Sequence, residues 1–312
     1  MAADPLLDGD AVGGPASIQR IKDRVVGRER ELELILAAVS TGRDLVLEGP
    51  PGTSKTTLLR AITESWGIPL VFVEGNAELT PGRLIGHHDP ARVLQEGYSE
   101  KTFSPGPLVE AMQRGAFLHF EEFNRAPEDT LNALLTAIAD REVSVPRVGV
   151  IRAAPTFRVV ASMNPFDNVG TTRLSTSIKD RLCRLVVTYQ SEAAERDIAV
   201  LRADIDDAEE LNRAIVADAV AVTRMTRVHE HVRQGSSVRG AIDLVLVVGQ
   251  LLAARDIAER DDRYRDTFFD AMMLALSGRL LTDEIAGSDP STILREIWEQ
   301  HFILDAAAAE PG

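Results

Sequence analysis

The sequence predicts an α/β fold: a wound domain on a five-stranded parallel sheet, followed by an all-helical domain. Three observations carry this. Five short β-branched-rich runs punctuate the chain up to about residue 188, helical patterns separate them, and the strand signal disappears after Ser191. Near-continuous apolar strands suit a parallel sheet covered on both faces, and strand–helix alternation is how such a sheet is wound.

In chain order, residues 1–20 are rich in Gly, Asp and Ala without periodicity and are expected to form a flexible tail. The five runs are DLVLE (44–48), PLVFVE (69–74), AFLHFE (116–121), FRVVAS (157–162) and RLVVT (184–188). After the first, Leu58, Leu59, Ile62 and Trp66 fall at helical spacing, with Gly67 as a natural stop. After the third, Pro127 suits a first helical turn, and Glu128 and Asp129 complement the positive end of a helix dipole. Leu131, Leu134, Leu135 and Ile138 then share one face. A composition shift near residue 190 closes the α/β domain, expected over 21–190. The helical domain is expected over 191–303. In it AEELNRAIVADAVAVTRMTRVHEHVR reads as one long amphipathic helix ending near Gly235, and a second opens at SSVRGA behind a serine cap. Two more are expected around 265–280 and 290–303, with residues 304–312 as a flexible tail.

Composition narrows the function classes. A chain of 312 residues with 45% hydrophobic content buries a core easily. Its formal net charge of -14 repels phosphate backbones, which argues against general nucleic-acid binding. The lone Cys183 leaves no internal disulfide, as in a reduced, intracellular protein. Acidic residues stand near the start where a signal peptide needs basic ones. The longest apolar stretch, AIDLVLVVGQLLAA, is too short for a bilayer and contains Asp243 and Gln250. The expectation is a cytoplasmic protein without a membrane span.

Directly after the first run comes GPPGTSKTT, spanning Gly49, Pro50, Pro51, Gly52, Thr53, Ser54, Lys55, Thr56 and Thr57. This matches the phosphate-gripping pattern G-x-x-x-x-G-K-[ST], except that Ser54 stands where the pattern has its last glycine. Such a loop turns backbone N–H groups inward, and serine fits at modest strain if its φ is negative. The Lys55 charge and Thr56 hydroxyl are available for terminal phosphates and Mg2+, and the helix expected from Thr56 aims its N-terminus at them. A plain Gly-Pro turn between a strand and a helix would explain the loop alone, but not the polar residues that end the later strands. FLHFEE ends the third run with Glu121, suited to hold Mg2+ through water beside Thr56, and Glu122, suited to polarise an attacking water. FRVVASMNP ends the fourth with Asn164, whose amide suits orientation of that water. Arg173 and Arg181 flank a short apolar-faced helix, from which an arginine could serve its own subunit or a neighbour's site. Arg239 opens a helix of the second domain.

Taken together, these residues give the chain a resemblance to the AAA+ ATPases, and more narrowly to the MoxR group of the helix-2-insert branch, over about residues 21–250. The resemblance is carried by RVVGRERELELILAAV, similar to the segment that covers adenine and containing Val26, and by Phe103, Gly106, Pro107, Glu121, Glu122, Asn124, Arg125, Ala126 and Pro127. It implies an AAA+ P-loop core with an all-α lid, and ATP with Mg2+ as cofactors. It implies that Lys55 and Thr56 contact phosphates and metal, that Glu122 is the catalytic carboxylate, and that Asn164 is the first sensor. Arg181 becomes the finger acting on a neighbouring subunit and Arg239 the second sensor. Ser54 for glycine and Glu121 for aspartate depart from the family pattern. Two insertions are implied, NAELTPGRLIGHHDPARVLQEGYSEKTF and REVSVPRVGVIRAAP, facing the axis of a homo-hexamer and touching a client protein. Partners carrying a von Willebrand A domain are implied in the same way. His87 and His88 lack the carboxylate or cysteine spacing of a metal site, and His229 and His231 would diverge on a helix. The leading expectation is a ring-forming, Mg2+-ATP-dependent remodelling chaperone. The alternatives are a nucleic-acid motor of the same branch and a non-catalytic ATP-sensing scaffold.

Overall fold

All five apolar runs are strands, each within two residues of its expected bounds. The computed structural model describes residues 15–22, 24–165, 171, 174–282 and 289–304, in two units dividing between Thr188 and Tyr189. In the first unit, α1 (Pro15–Lys22) and α2 (Glu29–Ser40) precede β1 (Asp44–Glu48), α3 (Lys55–Trp66) and β2 (Leu70–Glu74). Next come α4 (Pro81–Ile85), β3 (Gly86–His88), α5 (Pro90–Glu96) and β4 (Phe103–Pro105). Then α6 (Pro107–Arg114), β5 (Phe117–Glu121) and α7 (Glu128–Asp140) lead to a hairpin of β6 (Glu142–Val145) and β7 (Gly149–Arg152). The unit closes with β8 (Arg158–Met163), α8 (Thr176–Arg181) and β9 (Leu182–Val186).

The main sheet is all parallel, in the order β2-β5-β8-β1-β9. Alternation of side chains along each strand divides the core between two faces. Leu45, Leu47, Phe117 and Val160 pack with Leu58, Leu59 and Ile62 of α3. Val46, Leu118, Phe120 and Ala161 pack on the other face with Leu131 and Leu134 of α7. Every residue of β1 is buried, whereas edge strand β2 alternates. At the start of β1, Asp44 is clamped by both terminal nitrogens of Arg141 and accepts the Val159 N–H at 2.7 Å.

The expected tail over residues 1–20 is helical from Pro15, because Ile21 inserts fully into the core. Residues 1–14 and 305–312 lie outside the described residues. The two expected insertions are the antiparallel β3–β4 pair with α5 between its strands, and the β6–β7 hairpin. His88 joins them: its Nε2 lies 3.2 Å from the Pro146 carbonyl, while its ring meets Tyr98 and Phe103 edge-on.

The second unit contains α9 (Glu192–Ala203), α10 (Glu210–Met225), β10 (Val232–Gln234), α11 (Val238–Ala254), α12 (Asp262–Leu276), β11 (Leu281–Thr282) and α13 (Pro290–Glu299). Ser191 and Ser237 cap α9 and α11 through their hydroxyls. One expectation fails here: the long helix stops at Met225 rather than near Gly235. The unit is helical as expected, with one short antiparallel pair of β10 and β11 added. The chain doubles back so closely that a Cβ on Gly235 would meet the Thr226 carbonyl at 2.5 Å, while Thr226 Oγ1 accepts the Ser236 N–H. His229 and His231 therefore sit in a turn, not on a diverging helix, with ring centroids 5.8 Å apart. His229 Nε2 meets Glu296, and no group of three His, Cys, Asp or Glu poised for a metal occurs among the described residues. No helix among them is long and apolar enough to cross a membrane.

Candidate nucleotide site

Parallel winding puts the C-terminal ends of β5, β8 and β1 side by side, and connections leaving those ends form a crevice at one edge of the sheet. Gly49 leaves β1, Glu121 ends β5 with Glu122 directly after it, and Asn164 follows β8. The Gly49 N–H donates to the Met163 carbonyl at 3.1 Å. A Cβ at Gly49 would lie 2.0 Å from the Val187 carbonyl oxygen, so only glycine fits.

The loop then passes through two left-handed residues, Gly52 at φ 73° and Ser54 at φ 65°. The condition for modest strain, a negative φ at Ser54, is thus not met. The turn that brings Lys55 into the first position of α3 needs the conformation the usual glycine adopts freely, and serine takes it with strain. Lys55 Nζ donates to the carbonyls of Gly49 and Pro50, each at 2.8 Å, and to Thr53 Oγ1 at 3.3 Å. Thr56 Oγ1 donates to Glu121 Oε1 at 3.1 Å.

Arg28 buttresses this loop and was not singled out by the sequence. Its buried guanidinium donates to the carbonyls of Thr53 at 3.0 Å and Thr188 at 2.7 Å, and pairs with Glu31. Val26 is half-buried in the turn just ahead of it. The only sequence signal for Arg28 is its place, inside the segment that resembles the adenine cover.

Glu122 has a left-handed backbone, φ 51°, an uncommon state for a residue with a Cβ and one that clusters at functional sites. Gly75 backs the turn: its N–H donates to the Glu121 carbonyl, and a Cβ there would meet the Glu122 carbonyl oxygen at 2.2 Å. Glu122 Oε2 lies 3.3 Å from Arg125 Nε, in ion-pair range but without a hydrogen bond. Asn124 Nδ2 donates to the Asn164 carbonyl at 3.3 Å, and its buried Oδ1 has no hydrogen-bond partner.

The structure therefore gathers Lys55, Thr56, Glu121, Glu122 and Asn164 on neighbouring strand ends. Arg181 is exposed at the end of α8, where its guanidinium bonds Ser177 of the same helix. Arg239 is exposed at the start of α11 in the second unit. Arg173 lies outside the described residues.

The donor set fits a magnesium–nucleotide complex. An ammonium and a helix N-terminus suit phosphate oxygens, and a hydroxyl beside a carboxylate suits a hard cation. Glu122 Oε2 and Asn124 Oδ1 are buried oxygens without a hydrogen bond, the kind of atom a bound water satisfies.

Residues 44–182 match the model of the AAA domain, dynein-related subfamily. Among solved structures, a candidate ATPase of Cytophaga hutchinsonii aligns over 90% of this chain and 92% of its own, with a TM-score of 0.50 at 20% identity. Thermotoga maritima RuvB, a Holliday junction branch migration motor, aligns over 88% of this chain and 76% of its own, with a TM-score of 0.51 at 19% identity. The fold is AAA+. The matched segment contains the loop, the acid pair, Asn164 and Arg181. Relatives in sequence include uncharacterized proteins of staphylococci. One of Staphylococcus epidermidis is 28% identical over 211 residues, 67% of this chain and 79% of its own length. Another, of Staphylococcus aureus, is 26% identical over 249 residues, 76% of this chain and 92% of its own.

Proposed function

We propose that this chain is a Mg2+-dependent ATPase of the MoxR type, working in the cytoplasm as a ring-forming chaperone that remodels, matures or activates a client protein. The observation that carries the ATPase is the convergence of Lys55, the Thr56–Glu121 contact and Glu122 at one edge of the sheet. Bound Mg2+-ATP would supply the reactive terminal phosphate and a cation that offsets its charge. Lys55 would leave the loop carbonyls to neutralise phosphate oxygens, and Thr56 and Glu121 would hold the cation's coordination shell. Glu122 would accept a proton from the attacking water while Asn124 and Asn164 fix its orientation. Arg181, exposed and held only to its own helix among the contacts described, is available to a neighbouring subunit's phosphate.

Two features support a protein client. Helix α5 has no buried residue, its Leu94 is 88% exposed, Tyr98 just after it is 65% exposed, and Val150 of the β6–β7 hairpin is 55% exposed. Exposed apolar side chains on protruding elements suit protein contact. The net charge of -14 weighs against the nucleic-acid motor. The expectation of a homo-hexamer and of a von Willebrand A domain partner rests on the MoxR resemblance. The strained Ser54 favours a second reading, a scaffold that binds ATP without turnover.

Steady-state phosphate release separates the two. The ATPase reading expects turnover that Glu122→Gln lowers by about 100-fold or more with ATP binding kept, and that Lys55→Ala loses together with binding. Mixing the Glu122→Gln and Arg181→Ala chains should restore part of the turnover, because each lends the other its intact group. Zero turnover in the parent protein, alone and with captured partners, would leave the scaffold standing.

A further inference from the structure

Beneath the site lies a buried polar pair with no part in the proposed chemistry. His119 is the middle residue of β5, fully buried, two residues before Glu121 and on the same sheet face. In register it sits between Phe72 of β2 and Val160 of β8. The Phe72 ring meets it edge-on at 5.6 Å, and its Nε2 lies 3.3 Å from the Oγ of buried Ser162. Ser162 in turn is two residues before Asn164. His119 Nδ1 is buried with no hydrogen-bond partner. An apolar side chain would fill this position without an idle nitrogen, so packing alone does not account for the imidazole.

Strand geometry shows what the pair does. The β5–β8 ladder ends at Phe120 and Ala161, whereas β8 stays paired to β1 as far as Met163. Glu121 and Asn164 therefore lie past the last backbone pair between their strands. Two side-chain ties continue across that gap: His119 to Ser162 below the acid pair, and Asn124 to the Asn164 carbonyl above it. A ring with its proton on Nε2 donates to Ser162 Oγ and leaves a bare lone pair on the buried Nδ1.

We propose that His119, acting through Ser162, is a positioning residue that holds the Asn164 end of β8 in register with the acidic end of β5 for ATP hydrolysis. This role rests on the ATPase reading. Both tie-cutting changes, His119→Phe and Ser162→Ala, should lower kcat about tenfold, the weight of one hydrogen bond, with the Kd for ATP unchanged. The double variant should be no worse than either single one, because both cut the same tie. His119→Gln, which can still donate to Ser162, should recover part of the loss. In the nucleotide-free protein, amide exchange at residues 162–164 should quicken in His119→Phe. Parent turnover that both tie-cutting variants retain overturns this role alone. A parent without turnover overturns the ATPase reading and this role together.

Discussion

The Thr56 hydroxyl donates to Glu121 Oε1 across 3.1 Å, joining the first turn of α3 to the end of β5. An uncharged oxygen and a carboxylate oxygen this close would suit neighbouring positions around one hard cation, as the proposed ATPase requires. Thr56→Val and Glu121→Gln should each raise the Mg2+ concentration for half-maximal turnover by about tenfold or more, because the first removes a hydroxyl oxygen and the second a carboxylate charge. ATP binding in the presence of EDTA should change far less. A magnesium titration of phosphate release checks this, and unaltered curves would remove both residues from the metal.

Ser54 is held at φ 65°, where a Cβ costs roughly 1 kcal/mol. Ser54→Gly should stabilise the fold by up to about 1 kcal/mol, less the entropy glycine adds to the unfolded chain. A higher urea midpoint is the expected result. A lower one would show that contacts of the serine side chain outweigh its strain.

Asp44 is almost wholly buried and depends on Arg141 for charge compensation. Burial pushes its carboxyl above the ordinary range against the pull of that guanidinium. Arg141→Met should destabilise by about 3 kcal/mol, since it strands a buried charge. The deficit should shrink as pH falls, because protonation relieves the stranded carboxylate. Urea unfolding at neutral and mildly acidic pH distinguishes this from simple loss of packing, which would not vary with pH.

His119 is lowered from 6.5 to about 4 in the fold, so unfolding takes up a proton between those values. The stability tied to the neutral ring is therefore fully present above pH 6.5 and is lost as pH falls through about 4. Its size is about 3 kcal/mol, and His119→Phe should flatten that part of the stability–pH curve. Equal slopes in the two proteins would mean that the ring titrates as it would in water.

Much of this fold was legible in the sequence. The core strands announce themselves as short apolar runs bounded by polar or turn residues, and the loop, the acid pair and Asn164 all fall at their ends. The α1 helix was legible too, since Ile18 and Ile21 sit three apart, but Gly and Asp around them masked it. The break at Met225 was hidden because apolar residues continue at helical spacing through Val228 and Val232, and only the Gly235–Thr226 approach forbids the helix. Arg28 was out of reach for another reason: one of its partners lies 160 residues away. The sign of φ at Ser54 depends on how the loop closes, which composition does not encode.

Gly49 has a consequence for how such chains are recognised. Its missing side chain is required by the Val187 carbonyl behind it, on the sheet side of the loop. A descendant that abandoned ATP altogether would still keep this glycine for as long as it kept its sheet. The first letter of the motif is thus a record of architecture, and evidence of a living enzyme must be sought further along, at Lys55 and Glu122.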